Sequence, residues 1–211
     1  MDTIDVSTRA WLRNYVDEDF KIKKHHFSNQ DDVYAIEATE GSFYLKTAKD
    51  LKSERDNLQR TLSYIRVPKV IGFGTVGDKD HLLMTALPGK NLAEYVDEWD
   101  TMTIVREFAR AVKEFHALDI TKLFTTSAAP GTVVLHGDMA MPNIICTEPG
   151  SAGFIDLGQM SVGAADLDLA DALWSLQRNL GAGYGELFLS EYGNFVMTEK
   201  VDKALKYRHQ A

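Results

Sequence analysis

The chain has little cysteine and no long apolar run, and these absences narrow the class of protein. Cys146 is the single cysteine among 211 residues, so no intrachain disulfide can form and a reducing compartment fits. No apolar stretch approaches the roughly 18 residues that a membrane-spanning helix needs. The first 15 residues lack a basic start followed by an apolar core, so we expect no signal peptide. These features predict a cytoplasmic protein without a membrane partner.

The chain has fewer basic than acidic residues, and most of this difference lies in its second half. The net charge is −8. Residues 1–86 carry 14 acidic and 13 basic residues, and residues 87–211 carry 17 acidic and 10 basic residues. An acidic surface disfavours nucleic acid as a partner and favours a cationic ligand. The same charge is also accounted for by solubility alone.

The hydrophobic pattern predicts a mixed α+β chain with two parts. Residues 1–86 are strand-rich: 31–39 and 42–48 are β-prone runs around a glycine-containing turn, which predicts a hairpin. Residues 87–211 are mostly helical, and the spacing over 101–118 is that of an amphipathic helix, with the polar Thr101 at its start as the candidate N-cap. The segment "LPGKNL" between the two parts is a candidate linker.

A second-half motif, "VVLHGDMAMPNIIC" followed by "FIDLG", suggests phosphoryl transfer. That reaction needs a carboxylate for the hydroxyl proton, oxygen ligands for Mg²⁺ and a cation on the other phosphates. Asp138 and Asn143 have the D-x-x-x-x-N spacing of protein kinases, and Asp156 opens a D-x-G. We expect strands in "NIICTE" and "FIDLG" to form a hairpin that turns Asn143 and Asp156 towards one metal. His136 is interpreted as a structural residue that hydrogen-bonds the backbone of this loop.

These segments, "HGDMAMPNIIC" and "GFIDLGQMSVGAADLDLA", closely resemble those of aminoglycoside phosphotransferases, in particular the 3′-phosphotransferase group. The resemblance implies the bilobal protein-kinase-like fold, with a small β-rich N-lobe (1–86) that binds nucleotide and a mainly helical C-lobe (87–211) for catalysis and acceptor binding. It implies that Asp138 is the catalytic base and that Asn143 and Asp156 bind Mg²⁺. Asp168 would brace the catalytic loop from the following helix.

The first half resembles the same family, and the resemblance implies a set of ATP contacts. "FYLKT" is similar to the strand with the phosphate-binding lysine, here Lys46, and "SERDNL" to the helix with its partner, here Glu54. The segment "LLMTALPG" resembles the hinge, which implies that the carbonyl of Thr85 and the N–H of Leu87 hold adenine. "FSNQDDVYAI" is similar to the loop over the phosphates and makes Ser28 a candidate contact.

The sequence departs from the family pattern in four places, two in the nucleotide-binding half and two in the acceptor-binding half. The phosphate loop has no glycine and carries two acidic residues, and Lys46 and Glu54 are only eight residues apart. Only 17 residues separate Leu118 from His136, where the family has a helical insert that walls the substrate site. The C-terminus, "KALKYRHQA", is basic where the family is acidic.

The sequence therefore predicts an ATP- and Mg²⁺-dependent kinase for a small-molecule hydroxyl, with an aminoglycoside as the leading acceptor. Choline or a sugar is the next class of acceptor. A catalytically silent nucleotide-binding protein is an alternative, motivated by the short acceptor lobe and the acidic loop. A protein acceptor is a third alternative, although nothing in the sequence indicates a peptide groove. Cys146 is interpreted as a small buried hydrophobe rather than a nucleophile.

Overall fold

The structure is a computed structural model that describes residues 4–27, 31–126, 129–193 and 199. The chain divides into two compact units. Unit one is formed by Met1–Leu62 and Pro68–Leu87, and unit two by Ser63–Val67 and Pro88–Ala211. This division concerns packing. The functional division between residues 1–86 and 87–211 stays a prediction.

Unit one is built on a five-stranded antiparallel sheet with strand order β1-β2-β3-β5-β4. Its elements in chain order are helix α1 (Val6–Leu12), strands β1 (Lys21–Phe27), β2 (Asp31–Ala38) and β3 (Gly41–Ala48), helix α2 (Lys52–Thr61), and strands β4 (Val70–Val76) and β5 (Lys79–Thr85).

The predicted hairpin of unit one is confirmed as β2–β3. Ala38 pairs with Gly41 at the turn, where Gly41 has a φ of 136°, a region that favours glycine. Side chains alternate along each strand, so one face of the sheet carries Ile36 and Leu45 and the other carries Lys46. The apolar face packs with Leu12 at the end of α1, and this cluster forms a hydrophobic core of unit one.

Unit two is mainly helical, with short strands between its helices. Its elements in chain order are strand β6 (Lys90–Asn91), helices α3 (Thr101–His116) and α4 (Ile120–Leu123), strands β7 (Thr132–Leu135), β8 (Ile144–Cys146), β9 (Gly153–Phe154) and β10 (Ser161–Ala164), and helices α5 (Asp166–Leu180) and α6 (Gly185–Gly193). Strands β6, β8 and β9 form one small sheet, and β7 pairs with β10. In the described part of the chain, no helix is long and apolar enough to cross a membrane.

The N-cap of helix α3 lies one residue before the expected one. Asp100, rather than Thr101, caps it, with one carboxylate oxygen accepting from the Thr103 N–H at 3.0 Å and the other from the Thr103 hydroxyl at 2.6 Å. The apolar face of α3 carries Phe108 and Phe115, which are fully buried against Phe188 and Phe154. This aromatic core supports the strands that carry the candidate active site.

Candidate active site

The segment His136–Gly137–Asp138, which we call the catalytic loop, follows directly on the buried end of β7. Gly137 turns the chain with a φ of 86°. A Cβ at this position would lie 2.5 Å from the carbonyl oxygen of Gln159, so the loop passes too close to a neighbouring backbone for any other residue. Glycine is thus required at the position before Asp138.

His136 is completely buried and holds the loop through both ring nitrogens. Nε2 lies 3.0 Å from the Ile155 carbonyl, which can only accept, so Nε2 carries the proton. Nδ1 then accepts from the Asp138 N–H at 3.3 Å. Burial lowers the pKa of His136, although Asp168 and the Ile155 carbonyl oppose this effect. The neutral imidazole satisfies both bonds, which is the contact expected of a structural histidine.

Asp168, in the first turn of α5, is fully buried and binds the same loop. Its carboxylate accepts from the His136 N–H at 2.7 Å and from the Gly137 N–H at 2.9 Å. Burial alone would raise the pKa of Asp168, but the hydrogen bonds from His116 and from the two backbone N–H groups outweigh it and hold that pKa below its usual value. The bracing contact predicted for Asp168 is present.

His116, at the end of α3, is a part of this network that the sequence analysis missed. Its Nε2 donates to Asp168 at 3.1 Å, and its Nδ1 is hydrogen-bonded with the Tyr192 hydroxyl at 2.8 Å. Burial raises the pKa of Tyr192, and the negative charge of Asp168 adds to this, so the hydroxyl keeps its proton. In the sequence, His116 is a polar residue at the end of an apolar helix face. That position indicates a buried histidine but does not identify the residue it contacts.

Asp138 and Asn143 are in direct contact. The Asn143 side-chain NH₂ donates to the Asp138 carbonyl at 2.9 Å and to the Asp138 carboxylate at 3.0 Å. This orientation leaves the Asn143 amide oxygen on the side of the group away from Asp138. The five-residue spacing therefore closes a small loop whose two functional side chains orient each other.

The β8–β9 hairpin returns the chain past Asn143. The Ile155 N–H donates to the Asn143 carbonyl at 3.1 Å, which brings the next residue, Asp156, beside this end of the hairpin. Strand β9 is shorter than expected and ends at Phe154. Asp156 has φ 61° and ψ 54°, the left-handed region, and is the one non-glycine residue with positive φ among those described. Such conformations cost energy and concentrate at functional sites.

These residues fit a Mg²⁺ ion. Mg²⁺ prefers oxygen ligands and is usually held by one or two protein groups together with substrate phosphates and water. The Asp156 carboxylate and the Asn143 amide oxygen supply that donor set. Within the described residues, no group of three or more His, Cys, Asp or Glu side chains could hold a metal ion. One carboxylate and one amide oxygen suit a Mg²⁺ ion whose remaining ligands come from a phosphate substrate and water.

In unit one, Lys46 and Glu54 form an ion pair. Lys46 projects from β3, an inner strand of the sheet, and its Nζ lies 2.8 Å from a carboxylate oxygen of Glu54 on α2. The pairing implied by the resemblance is thus present despite the short connection. A second carboxylate, that of Asp31, lies 3.3 Å from the same Nζ. The sequence analysis noted this acid but did not predict its contact with Lys46.

The remaining predicted contacts for ATP stay predictions. Thr85 ends β5, with its N–H donating to the Lys69 carbonyl at 2.9 Å and its hydroxyl accepting from the Lys69 N–H at 3.0 Å. Leu87 is the last residue of unit one. Ser28 lies outside the described residues.

Cys146 lies on β8 and is fully buried. Burial raises the pKa of its thiol to about 11, with a smaller contribution from the charge of Glu107. A thiol with this pKa stays protonated near neutral pH and is a poor nucleophile. The interpretation of Cys146 as a buried hydrophobe is confirmed.

Comparison with known proteins finds a family model that matches part of the chain and relatives that are similar over most of it. The sequence profile of the phosphotransferase enzyme family matches residues 124–202. The aminoglycoside 3′-phosphotransferase of Niallia circulans is 25% identical over 89% of this chain and 92% of its own length. The aminoglycoside 3′-phosphotransferase of Escherichia coli is 23% identical over 76% of this chain and 79% of its own length.

Solved structures confirm the fold. An aminoglycoside 3′-phosphotransferase of type VIII superposes with a TM-score of 0.73 over 94% of this chain and 96% of its own, at 20% identity. The phosphotransferase APH(3″)-Id from Streptomyces rimosus, in complex with ADP and streptomycin, superposes with a TM-score of 0.66 over 86% and 90% of the two chains, at 18% identity.

The predicted kinase-like α+β fold is therefore confirmed. The profile covers the segment that carries the catalytic loop and Asp156, and the relatives extend the match over most of the chain. These similarities to aminoglycoside phosphotransferases indicate that the protein is a phosphotransferase with a hydroxyl group as acceptor.

Proposed function

We propose that this protein is an ATP- and Mg²⁺-dependent kinase that phosphorylates the 3′-hydroxyl of an aminoglycoside. The observation that carries the proposal is the contact between Asp138 and Asn143, with Asp156 brought to the same hairpin end by the Ile155–Asn143 hydrogen bond. A base and two oxygen ligands for Mg²⁺ are the protein groups that phosphoryl transfer from ATP to a hydroxyl requires.

In the proposed mechanism, the Asp138 carboxylate accepts a hydrogen bond from the acceptor hydroxyl and orients its oxygen for in-line attack on the γ-phosphate. The hydroxyl proton passes to Asp138 as the new P–O bond forms and the bond to ADP breaks. The Asn143 NH₂ fixes the rotamer of Asp138 before the acceptor binds. Asp168 and His136 keep the backbone of this loop in place, so the base needs little reorganisation during the reaction.

Asn143 and Asp156 would hold the magnesium ion, which neutralises negative charge on the phosphates when it is bound. The left-handed backbone of Asp156 supports this role, since strain of this kind persists where function requires a particular side-chain direction.

Residues 1–86 are proposed as the nucleotide-binding lobe and residues 87–211 as the catalytic and acceptor-binding lobe. Lys46 would bind the α- and β-phosphates, and Glu54 would keep its ammonium group in position. The Thr85 carbonyl and the Leu87 N–H are the proposed contacts with adenine, and Ser28 a proposed contact with phosphate. Nucleotide use is supported by a structural relative that binds ADP.

The choice of acceptor is supported by the relatives and by charge. The curated relatives are named as aminoglycoside 3′-phosphotransferases, and the acidic second half suits a polycationic ligand. One observation favours a second candidate. Between α3 and β7, the described residues contain only the four-residue helix α4, so a smaller acceptor such as choline or a sugar is the alternative.

The test is ADP production with Mg²⁺ in the presence of an aminoglycoside with a 3′-hydroxyl, its 3′-deoxy analogue, choline and simple sugars. We expect turnover with the 3′-hydroxyl compound, a product heavier by one phosphate, and no turnover with the 3′-deoxy analogue. Turnover only with choline or a sugar would show that this compound, rather than an aminoglycoside, is the acceptor. No turnover with any of these, in a protein that binds ADP, would reject the proposed activity.

The matched variant is Asp138→Asn, which keeps the size of the side chain but removes the base. We expect turnover to fall by about 10²- to 10⁴-fold, the usual contribution of a general base. ADP binding should stay unchanged, because Asp138 is assigned to the acceptor. Full activity in this variant would show that Asp138 is not the base.

A further inference from the structure

Asp31 opens strand β2 and lies on the same face of the sheet as Lys46. In the β2–β3 register, Asp31 pairs with Ala48 and Val33 pairs with Lys46, so the two charged residues are diagonal neighbours. The Asp31 carboxylate lies 3.3 Å from the Lys46 Nζ, and the Glu54 carboxylate lies 2.8 Å from it. One ammonium group is therefore shared by two carboxylates.

The two carboxylates differ in how firmly they are held. The Glu54 side chain is 4% exposed, and the Asp31 side chain is 22% exposed. Moving Glu54 away from Lys46 would leave a buried charge without its cation, which is costly. Asp31 can instead turn its carboxylate towards water at a smaller cost. Asp31 is thus the partner that Lys46 can exchange for another anion.

We propose that Asp31 is an internal competitor for the nucleotide phosphates at Lys46 and that it sets a weakened affinity for ATP and ADP. This inference rests on the proposed function, in which Lys46 binds the α- and β-phosphates. Lys46, Asp31 and Glu54 together carry one net negative charge, so a phosphate that approaches Lys46 meets a carboxylate already in contact with it. Binding then requires the loss of the Asp31–Lys46 pair and places Asp31 close to phosphate oxygens of the same charge.

The neighbouring acid, Asp32, provides a matched control within the same strand. Successive side chains of a strand point to opposite faces, so Asp32 lies on the face away from Lys46. There it pairs with Lys24 at 2.9 Å and with Lys79 at 3.4 Å. Its side chain is also 22% exposed. Asp31 and Asp32 thus share residue type, strand, exposure and pairing with lysine, and differ in the face on which they lie.

The experiment compares the wild-type protein with Asp31→Asn and Asp32→Asn by calorimetric titration with ADP at fixed Mg²⁺, and with adenosine. We expect Asp31→Asn to bind ADP about tenfold more tightly, as expected from removing one charge a few ångströms from the phosphates at a partly exposed site. Asp32→Asn should stay within about twofold of wild type, because its carboxylate lies on the other face. Adenosine has no phosphate, so its affinity should be the same in all three proteins.

Several outcomes would overturn the inference. Unchanged or weaker ADP binding by Asp31→Asn would show that Asp31 does not compete with the phosphates. If Asp32→Asn tightened ADP binding equally, the cause would be a general effect of charge. If Asp31→Asn bound adenosine more tightly, the cause would be an effect on adenine binding rather than on the phosphates. If wild type binds ADP and Asp31→Asn does not differ, this inference fails alone. If neither protein binds ADP, the proposed function fails and this inference fails with it. Thermal unfolding of each variant confirms that it is folded.

Discussion

The imidazole of His116 donates a hydrogen bond to the carboxylate of Asp168 at 3.1 Å, and both side chains are buried. The same carboxylate accepts from the backbone N–H groups of His136 and Gly137. A single buried charge therefore joins the end of α3, the start of α5 and the catalytic loop, which are far apart in sequence. The position of Asp138 depends on this junction.

Replacing Asp168 with Asn should destabilise the protein. The amide keeps the size of the side chain but presents an NH₂ group to donors that now lack an acceptor, and we expect a loss of about 2–4 kcal/mol in the free energy of unfolding. Chemical denaturation measures this loss. The control is Asp166→Asn, in the same first turn of α5, where only the favourable interaction with the helix dipole changes and about 0.5 kcal/mol is expected. Equal losses in the two variants would contradict the bracing role.

Acidification should destabilise the protein through His136. Its pKa is lowered in the folded state, so above the unfolded value of about 6.5 both states are neutral and the stability is fully present. As the pH falls below that value towards the folded pKa, only the unfolded state takes up the proton, and stability falls by at most about 1.4 kcal/mol per pH unit. Protonation of Nδ1 would also break its bond from the Asp138 N–H.

The measurement for His136 is the free energy of unfolding at pH 7.5 and at pH 5.5, in wild type and in His136→Gln. Gln does not titrate, and its amide can still donate to the Ile155 carbonyl. The decrease between the two pH values should therefore be smaller in the variant, whatever its stability at pH 7.5. An identical decrease would assign the pH dependence to other groups, of which the buried His81, with a pKa also lowered by burial, is one.

Asp156 should show opposite requirements for stability and activity. Its left-handed backbone costs a residue with a Cβ about 1–2 kcal/mol, whereas glycine adopts it readily. We expect Asp156→Gly to be more stable than Asp156→Ala by about this amount, and both variants to lose turnover with the carboxylate. Thermal unfolding and the ADP assay measure the two effects. Equal stability of the variants would show that the backbone is not strained, and retained turnover would remove Asp156 from the proposed Mg²⁺ site.

Arg66 should stabilise the hairpin that carries Asn143 and Asp156. Its guanidinium donates to the carbonyl groups of Ile145, Ser151 and Pro88, and its own carbonyl accepts from the Phe154 N–H at 2.8 Å. Arg66→Ala leaves three carbonyl groups without this donor, and we expect a loss of about 2–4 kcal/mol.

Two further variants test the geometry of Arg66. Arg66→Lys should recover only part of the loss, because an ammonium group lacks the planar fork that reaches several acceptors. The control is Arg106→Ala, which removes an exposed ion pair with Glu191 at 3.0 Å and should cost about 1 kcal/mol or less. Similar losses for Arg66→Ala and Arg106→Ala in chemical denaturation would show that the carbonyl contacts contribute little.

Local patterns in the sequence were sufficient to predict several elements of the structure. Alternation around Gly41 predicted the β2–β3 hairpin, and the apolar spacing predicted α3. The spacing from Asp138 to Asn143 predicted two functional residues in one loop but not their contact, which the structure shows and which five residues suffice to close. The cap of α3 was assigned one residue late, since Asp100 and Thr101 are both good capping residues and only the backbone distinguishes them.

These local patterns did not predict the contacts between residues that are far apart in the sequence. The second of the two expected strands stops at Phe154, and Asp156 takes a left-handed conformation, which Asp adopts more often than most residues but which the sequence pattern alone did not predict. The contacts of His116 with Asp168 and of Asp31 with Lys46 depend on helix packing and strand register.

The sequence by itself carried a family resemblance in two motifs. It also determined the approximate positions of the main helices and strands and the residue types needed for phosphoryl transfer. These follow from spacing and periodicity, which are properties of short segments. Tertiary structure alone decided which charges meet. It set the strand register that brings Asp31 next to Lys46 and gathered three segments of the second unit around the carboxylate of Asp168. Electrostatic interactions depend on distances of a few ångströms, and those distances are set only when the elements pack.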